Sequence, residues 1–262
     1  MILFYHRVAD DHPNSWTIPN ELFERQINWI RERFDIASLA ECQERLRCGN
    51  IATPTVAISF DDGYADNCSQ ALPFLIKHRI PCTYFVTLDA IVNGTQFAHD
   101  MEGGFPSLPN TVDQIRHLAD SGIEIGSHAR NHIDFGSVTD PDQLEDELVT
   151  AKGELETLIG HPVNYFAFPF GLEANMNAKA IQVARSAGYH GVCSAYGDYN
   201  FPNEDRDFFH LKRIHADPEM SRMKNWLTVD PRKLDIPEPS YFSAWPDEPC
   251  HAELPLVHAT NH

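Results

Sequence analysis

The chain is short of positive charge. Its 262 residues carry 20 Lys and Arg against 38 Asp and Glu, a formal net charge of −18. Nucleic acid and anionic membrane surfaces are polyanions, so this balance argues against both as partners. Long hydrophobic runs are missing too, and nothing approaches the ~20 apolar residues of a membrane-spanning helix. The opening Met1-Ile2-Leu3-Phe4-Tyr5 stops at His6 and Arg7. It is too short for a secretory core and has no basic flank, so no leader is expected and the chain reads as cytoplasmic. Cys42, Cys48, Cys68, Cys82, Cys193 and Cys250 form no Cys-x-x-Cys pair. A chain of this length needs no covalent staples, and these read as reduced thiols. A glycine-rich phosphate loop and a basic cluster are also absent, which ranks phosphoester chemistry low.

What is present is enough apolar residue, 42%, for a full core. Apolar runs with β-branched or aromatic residues alternate with helical spacing along most of the chain. Strands are expected at Ile2–Tyr5, Phe34–Ser38, Val56–Phe60, Cys82–Val86, Ile123–Gly126, Val163–Phe168, His190–Ala195 and Phe209–Ile214. Helices are expected at 20–33, 39–48, 66–78, 111–121, 141–159 and 177–187, and a long loop over 88–110. This order means a parallel sheet with helices outside it. Chemistry-bearing residues follow several strands, which favours a distorted (β/α) barrel of about seven parallel strands over an open sheet. One catalytic domain over 1–230 is expected, then an extended proline-rich tail over 231–262.

The stretch Val56 to Asn67 runs a buried strand straight into Asp61, Asp62 and Gly63. An Asp-Asp-Gly turn is ordinary by itself. Two carboxylates at a strand's C-terminal end nevertheless repel each other unless a cation or a shared proton separates their roles. His128 and His132 follow another strand, four residues apart. On a helical turn that spacing puts both imidazoles on one face. With Asp62 they supply two nitrogens and one oxygen, three ligands that leave a position for water, as in hydrolytic metal sites. His6 ends the first strand, where a loop carbonyl could equally satisfy it. His99 and Asp100 lie in the long loop, and loops of that length are usually functional. Tyr196, Tyr199 and Phe201 could stack on sugar rings or simply cover the barrel mouth.

Four ordered pieces then line up: Ser59 to Gly63, Ser127 to His132, Phe166 to Gly171, and Leu211 to His215. The sequence resembles the polysaccharide deacetylase family, the NodB-like carbohydrate esterases (family four), in the branch whose third motif reads Phe-Ala-Tyr/Phe-Pro-Phe-Gly. The resemblance implies a metal-dependent hydrolase on C–N bonds that removes acetyl groups from N-acetylated sugars. It makes Asp61 the general base and Asp62, His128 and His132 the metal ligands. It makes His215 the acid that protonates the leaving amine, with His6 as rival. Tyr64, Pro169, Phe170, Arg213 and His6 are expected around the substrate, with the Tyr64 backbone N–H as an oxyanion donor. The mixed nitrogen and oxygen donor set suits Zn2+, and also Co2+ or Ni2+. The arginine of the family's third motif is missing, because Ala167 stands there; Arg213 or Arg130 is expected to take its place beside Asp61. The partner implied is an acetylated glycan or a lipid- or nucleotide-linked sugar precursor. Two other readings remain: a C–N hydrolase acting on a small amide, and a carbohydrate-binding barrel that lost its activity with the arginine.

Overall fold

The computed structural model describes residues 1–50, 52–102, 104, 107–202, 207–216 and 218–228. The expected tail over 231–262, Cys250 and the side chain of His99 lie outside the described residues. The strands are β1 (Ile2–Tyr5), β2 (Arg7–Val8), β3 (Thr17–Ile18), β4 (Asp35–Ile36), β5 (Thr55–Phe60), β6 (Thr83–Val86), β7 (Glu124–Ser127), β8 (Tyr165–Ala167), β9 (Gly191–Cys193), β10 (His210–Leu211) and β11 (Ile214–His215). The main sheet runs in the order β10-β9-β8-β7-β6-β5-β1-β11, with β4 also on β5. Every pairing in it is parallel.

The two edges of that sheet are β10 and β11, and only Lys212 and Arg213 separate them in sequence. The single extended segment expected near 209–214 is therefore two short strands. Its first half pairs with β9 and its second half with β1. One piece of chain thus draws both edges together, and the parallel sheet curls into a distorted (β/α) barrel.

Alternation along the strands sorts side chains between two cores. Val56, Ile58 and Phe60 of β5 pack in the outer core, beneath Phe23, Ile27 and Ile30 of the helix Asn20–Arg31. Ala57, on the other face, joins Ile2, Phe85, Tyr165, Ala167, Cys193 and Leu211 in a separate interior cluster. Ser59 and Asp61 continue that inward face by the two-residue period. Gly126 of β7 leaves room for this interior: a Cβ there would stand 2.3 Å from Cδ1 of Phe85.

Several expected elements differ in detail. Helix 66–78 is a short 3-10 turn, Ala65–Cys68, followed by the helix Ala71–Lys77. The region 88–110 is not one loop, for it holds the helices Leu88–Asn93 and Ala98–Glu102. The helix over 141–159 contains a π-helical turn, Asp146–Thr150. An unforeseen helix, Met220–Leu227, follows β11 and buries Met223 and Leu227. No helix among the described residues is long and apolar enough to cross a membrane.

Candidate metal centre

All sheet strands point the same way, so their C-terminal ends share one mouth. The ladder continues one residue past each strand and fixes what stands there. The Asp61 amide donates to the Tyr5 carbonyl at 2.9 Å, and the His128 amide to the Val86 carbonyl at 2.9 Å. His6 and Asp61 therefore emerge side by side from β1 and β5. His215, paired in register with Phe4, reaches the same rim.

His128 and His132 do not sit on a helical turn. They lie in irregular chain after β7, with Ala129 at φ +66° and His132 at φ +53°. Asp62 and Phe170 are also left-handed, at φ +71° and +60°, and Gly63 follows at +83°. Non-glycine residues held in that region cost about 1–3 kcal/mol each and collect where function demands the geometry. Glu147 supports the histidine segment. This buried carboxylate lies on the π-helical turn and accepts from the amides of Arg130 (2.8 Å) and Asn131 (3.0 Å) and from Asn131 Nδ2 (2.9 Å). Sequence reasoning passed over Glu147, and the one available signal was an acidic residue in an otherwise amphipathic helix near the histidines.

The donor atoms of Asp62, His128 and His132 lie within 4.8 Å of one another, the one such cluster among the described residues. His128 Nδ1 meets the Ala167 carbonyl at 2.8 Å. A carbonyl can only accept, so Nδ1 carries the proton and Nε2 presents a lone pair, as a metal-bound imidazole requires. That Nε2 is 3.4 Å from Asp62 Oδ1, and His132 Nε2 is 3.3 Å from it. Oδ1 is buried with no hydrogen-bond partner, a costly state for a carboxylate oxygen. Two ligands bound tetrahedrally about 2.0 Å from one zinc ion stand about 3.3 Å apart. The spacing, the orphaned oxygen and the N,N,O donor set all fit a divalent cation.

Asp61 turns the other way. Both its oxygens accept from Arg213, from Nη1 at 2.7 Å and Nη2 at 2.8 Å. Arg213 is fully buried; its Nε donates to the Ser194 carbonyl at 2.9 Å and Nη1 to Ser59 Oγ at 3.2 Å. Its guanidinium lies 4.8 Å from the Phe4 ring centre and 5.2 Å from that of Phe85. Burial pushes the Asp61 carboxyl up, but Arg213 and then His128 hold it below the usual carboxylate range. Burial likewise opposes ionisation of Asp62, and the two histidines hold it well below that range. Of the two arginines expected near Asp61, the structure brings in Arg213. Arg130 faces outward instead, 2.9 Å from Glu154 and 3.0 Å from Asp146.

His6 is half-buried, with Nδ1 buried and unpartnered. Burial holds its pKa below the ordinary histidine value, against the pull of Asp62 and Asp61. Its ring centre lies 5.9 Å from that of His215, and Trp16 packs on both, at 4.6 and 5.1 Å. On the other side, Phe170 packs on His132 at 5.0 Å and remains half exposed. Pro169 accepts, through its carbonyl, from Gly171 N at 2.6 Å in the turn that presents Phe170. Tyr64 is buried beside Asp62, and its phenol packs on Phe97. Of the aromatic residues expected either to stack on sugars or to cover the barrel mouth, Tyr199 and Phe201 do neither. Tyr199 and Phe201 line a cavity with Ile2 and Thr55, the first residues of β1 and β5. That is the opposite pole of the barrel. Tyr196 packs against His210.

Comparison with known proteins follows the same lines. A family model described as polysaccharide deacetylase matches residues 49–192. The Bacillus subtilis protein YxkH is 26% identical over 224 residues, 84% of this chain and 72% of that protein. The peptidoglycan-N-acetylmuramic acid deacetylase PdaA of Bacillus subtilis is 29% identical over 163 residues, covering 58% of this chain and 54% of PdaA. Among solved structures, the Streptococcus pyogenes deacetylase PplD in complex with acetate superposes with a TM-score of 0.70 at 22% identity, over 87% of this chain and 96% of that one. At that identity the likeness is one of fold.

Proposed function

The chain belongs to the polysaccharide deacetylase family, and on that premise we propose that it hydrolyses the acetamide of an N-acetylated sugar in a glycan or glycan precursor, with a bound divalent metal ion. The observation that carries this reading is the convergence of Asp62 Oδ1, His128 Nε2 and His132 Nε2 on one point, beside an Asp61 held ionised by Arg213. Relatives named as deacetylases of peptidoglycan and of chitooligosaccharide support the substrate class. Five unpaired cysteines among the described residues fit a reducing compartment and so a cytoplasmic precursor.

Asp62, His128 and His132 would hold the ion, with Zn2+ the best match to two nitrogens and an oxygen and Co2+ or Ni2+ also suited. A cation there supplies Lewis acidity towards a water molecule and the acetyl carbonyl. The protein's own groups do the rest. Asp61 takes the proton from the attacking water; Arg213 keeps it ionised and fixes both its oxygens. The Tyr64 backbone N–H is assigned to the developing oxyanion. His215 returns a proton to the leaving amine. His6 is biased by burial towards its neutral form, which suits it to accept hydrogen bonds from substrate rather than to act as the acid. Trp16 and Phe170 flank the mouth and offer apolar faces to the sugar.

The test is acetate release from N-acetylglucosamine oligomers by wild type and Asp61→Asn, after chelation and after readdition of Zn2+ or Co2+. Release that requires metal and is lost in Asp61→Asn is expected. Release that survives complete chelation would overturn the reading.

A further inference from the structure

The geometry points to Asn67 as a positioning residue for the wall on which a sugar would rest, the wall made by His6 and Trp16; the inference rests on the reading of the mouth as a site for N-acetylated sugars. Asn67 is fully buried in the 3-10 turn Ala65–Cys68, just after the acidic pair. Strand β5 is the neighbour of β1 as far as Tyr5, whose carbonyl accepts from the Asp61 amide at 2.9 Å. There β5 ends and its chain turns away, through left-handed Asp62 and Gly63. The first segment runs on as β2, which pairs with β3 alone among the described strands. The Asn67 side chain takes the place of the strand that is missing on the other side. Its Oδ1 accepts from the Val8 amide at 2.8 Å and its Nδ2 donates to the His6 carbonyl at 2.7 Å. A residue of a parallel neighbour bonds in the same way, to the residues before and after the one it faces. A side-chain amide offers both a donor and an acceptor for this, and its two partners fix which end is oxygen.

What Asn67 registers is a pair of rings. On its far side β2 pairs with β3, Arg7 opposite Thr17 and Val8 opposite Ile18. Parallel register therefore puts Trp16 level with His6, and their ring centres lie 4.6 Å apart. Arg7 binds the loop between them, its Nη1 donating to the carbonyls of Asp11 and His12 at 2.9 Å each. Its Nε donates to Asp66 Oδ2 at 2.7 Å. Asp66 and Asn67, adjacent on one turn, thus clip the wall to the segment that carries Asp61 and Asp62. The acidic turn has supports of its own: the Asn110 amide donates to the Gly63 carbonyl at 2.8 Å and the Ala65 amide to the Leu108 carbonyl at 2.9 Å. Loss of the Asn67 amide therefore displaces the wall and leaves the metal ligands in place. The position of that wall relative to the metal centre decides whether a sugar resting on it presents its acetamide to Asp61.

Two readouts on the full chain test this without acetate release. One is calorimetric binding of an N-acetylglucosamine pentamer to the metal-free protein. The other is acrylamide quenching of Trp16 emission, taken by difference from Trp16→Phe. Asn67→Asp keeps the shape, but its ionised side chain only accepts, so it turns an attraction to the His6 carbonyl into a repulsion. It is expected to weaken the pentamer about three- to tenfold, the worth of one aromatic contact, and to make Trp16 easier to quench. Its Co2+ dissociation constant is expected to stay within about twofold of wild type. In a Trp16→Ala background the same substitution is expected to change pentamer binding by less than about twofold, because the ring it positions is gone. If Asn67→Asp does not fold, Asn67→Ser takes its place and must give the same pattern. Unchanged quenching overturns the inference, and so does unchanged pentamer affinity. An equal loss in the Trp16→Ala background, or a parallel loss of Co2+ affinity, overturns it as well, since either makes Asn67 a support of the site as a whole. If wild type binds no pentamer, the sugar reading fails, and quenching decides the positioning by itself.

Discussion

Arg213 reaches Asp61 from the far side of the barrel's seam, and its two terminal nitrogens bond both carboxylate oxygens at 2.7 and 2.8 Å. It occupies the turn between β10 and β11, the short strands that end the sheet on either side. The residue that closes the barrel is therefore also the one that holds the proposed base. It supplies a guanidinium where the family's third-motif position, Ala167, offers only a methyl group in the interior cluster.

Replacing Arg213 by Met is expected to cost stability and activity together. The change leaves a buried carboxylate without its cation, and breaking a buried pair in this way costs about 3–5 kcal/mol. Arg213→Lys keeps the charge but loses the two-pronged geometry. Its acetate release is expected to fall at least tenfold while much of the stability returns. Denaturant unfolding and kcat together decide this; a Lys variant with wild-type kcat would refute the positioning role.

The same pair gives stability a defined pH dependence. Asp61 has a depressed carboxyl in the folded protein and titrates near the ordinary aspartate value of about 3.9 once unfolded. Its contribution is thus fully present above the unfolded value and is lost as pH falls through the folded one. Unfolding free energy of the metal-free protein should drop on acidification below about pH 4, and Asp61→Asn should show a shallower drop. Parallel curves for the two proteins would contradict the depressed carboxyl.

Glu147 should matter to metal binding although it touches no metal ligand side chain. Its carboxylate anchors the Arg130 and Asn131 amides between the two histidines. Glu147→Ala takes the acceptor from both amides and should weaken Zn2+ or Co2+ about tenfold. Glu147→Gln keeps an acceptor and should lose less. Equilibrium dialysis of the metal measures both, and equal affinity in Glu147→Ala and wild type would exclude the support.

Trp16 is expected to govern how tightly a sugar chain is held and not whether metal is bound. It is exposed over 42% of its surface while packing on His6 and His215. Trp16→Ala should raise KM for N-acetylglucosamine oligomers about three- to tenfold, the equivalent of one aromatic contact, at unchanged Co2+ affinity. A loss of Co2+ binding would show instead that Trp16 holds up the site.

Much of the architecture was legible in the order of apolar runs. Strand-and-helix alternation implied a parallel sheet, and the step from Phe60 into Asp61 and Asp62 placed the carboxylates at a strand end. Those features are local: a period of two, a turn, a pair of like charges. The geometry of His128 and His132 was not legible in this way. Their four-residue spacing suits a helical turn, yet Glu147 and left-handed residues at Ala129 and His132 hold them in irregular chain. Burial and distant hydrogen bonds outweighed the local preference there.

The sequence by itself determined the alternating layers, the strand-end position of the acidic pair and the residue types able to hold a cation, because each follows from neighbours along the chain. Only the tertiary structure decided that Arg213 and not Arg130 meets Asp61, and that Tyr199 and Phe201 lie at the pole away from the site. Those outcomes depend on how a parallel sheet curls and on which two edges one short segment joins. Closure brings residues 152 positions apart, as Asp61 and Arg213 are, to hydrogen-bonding distance.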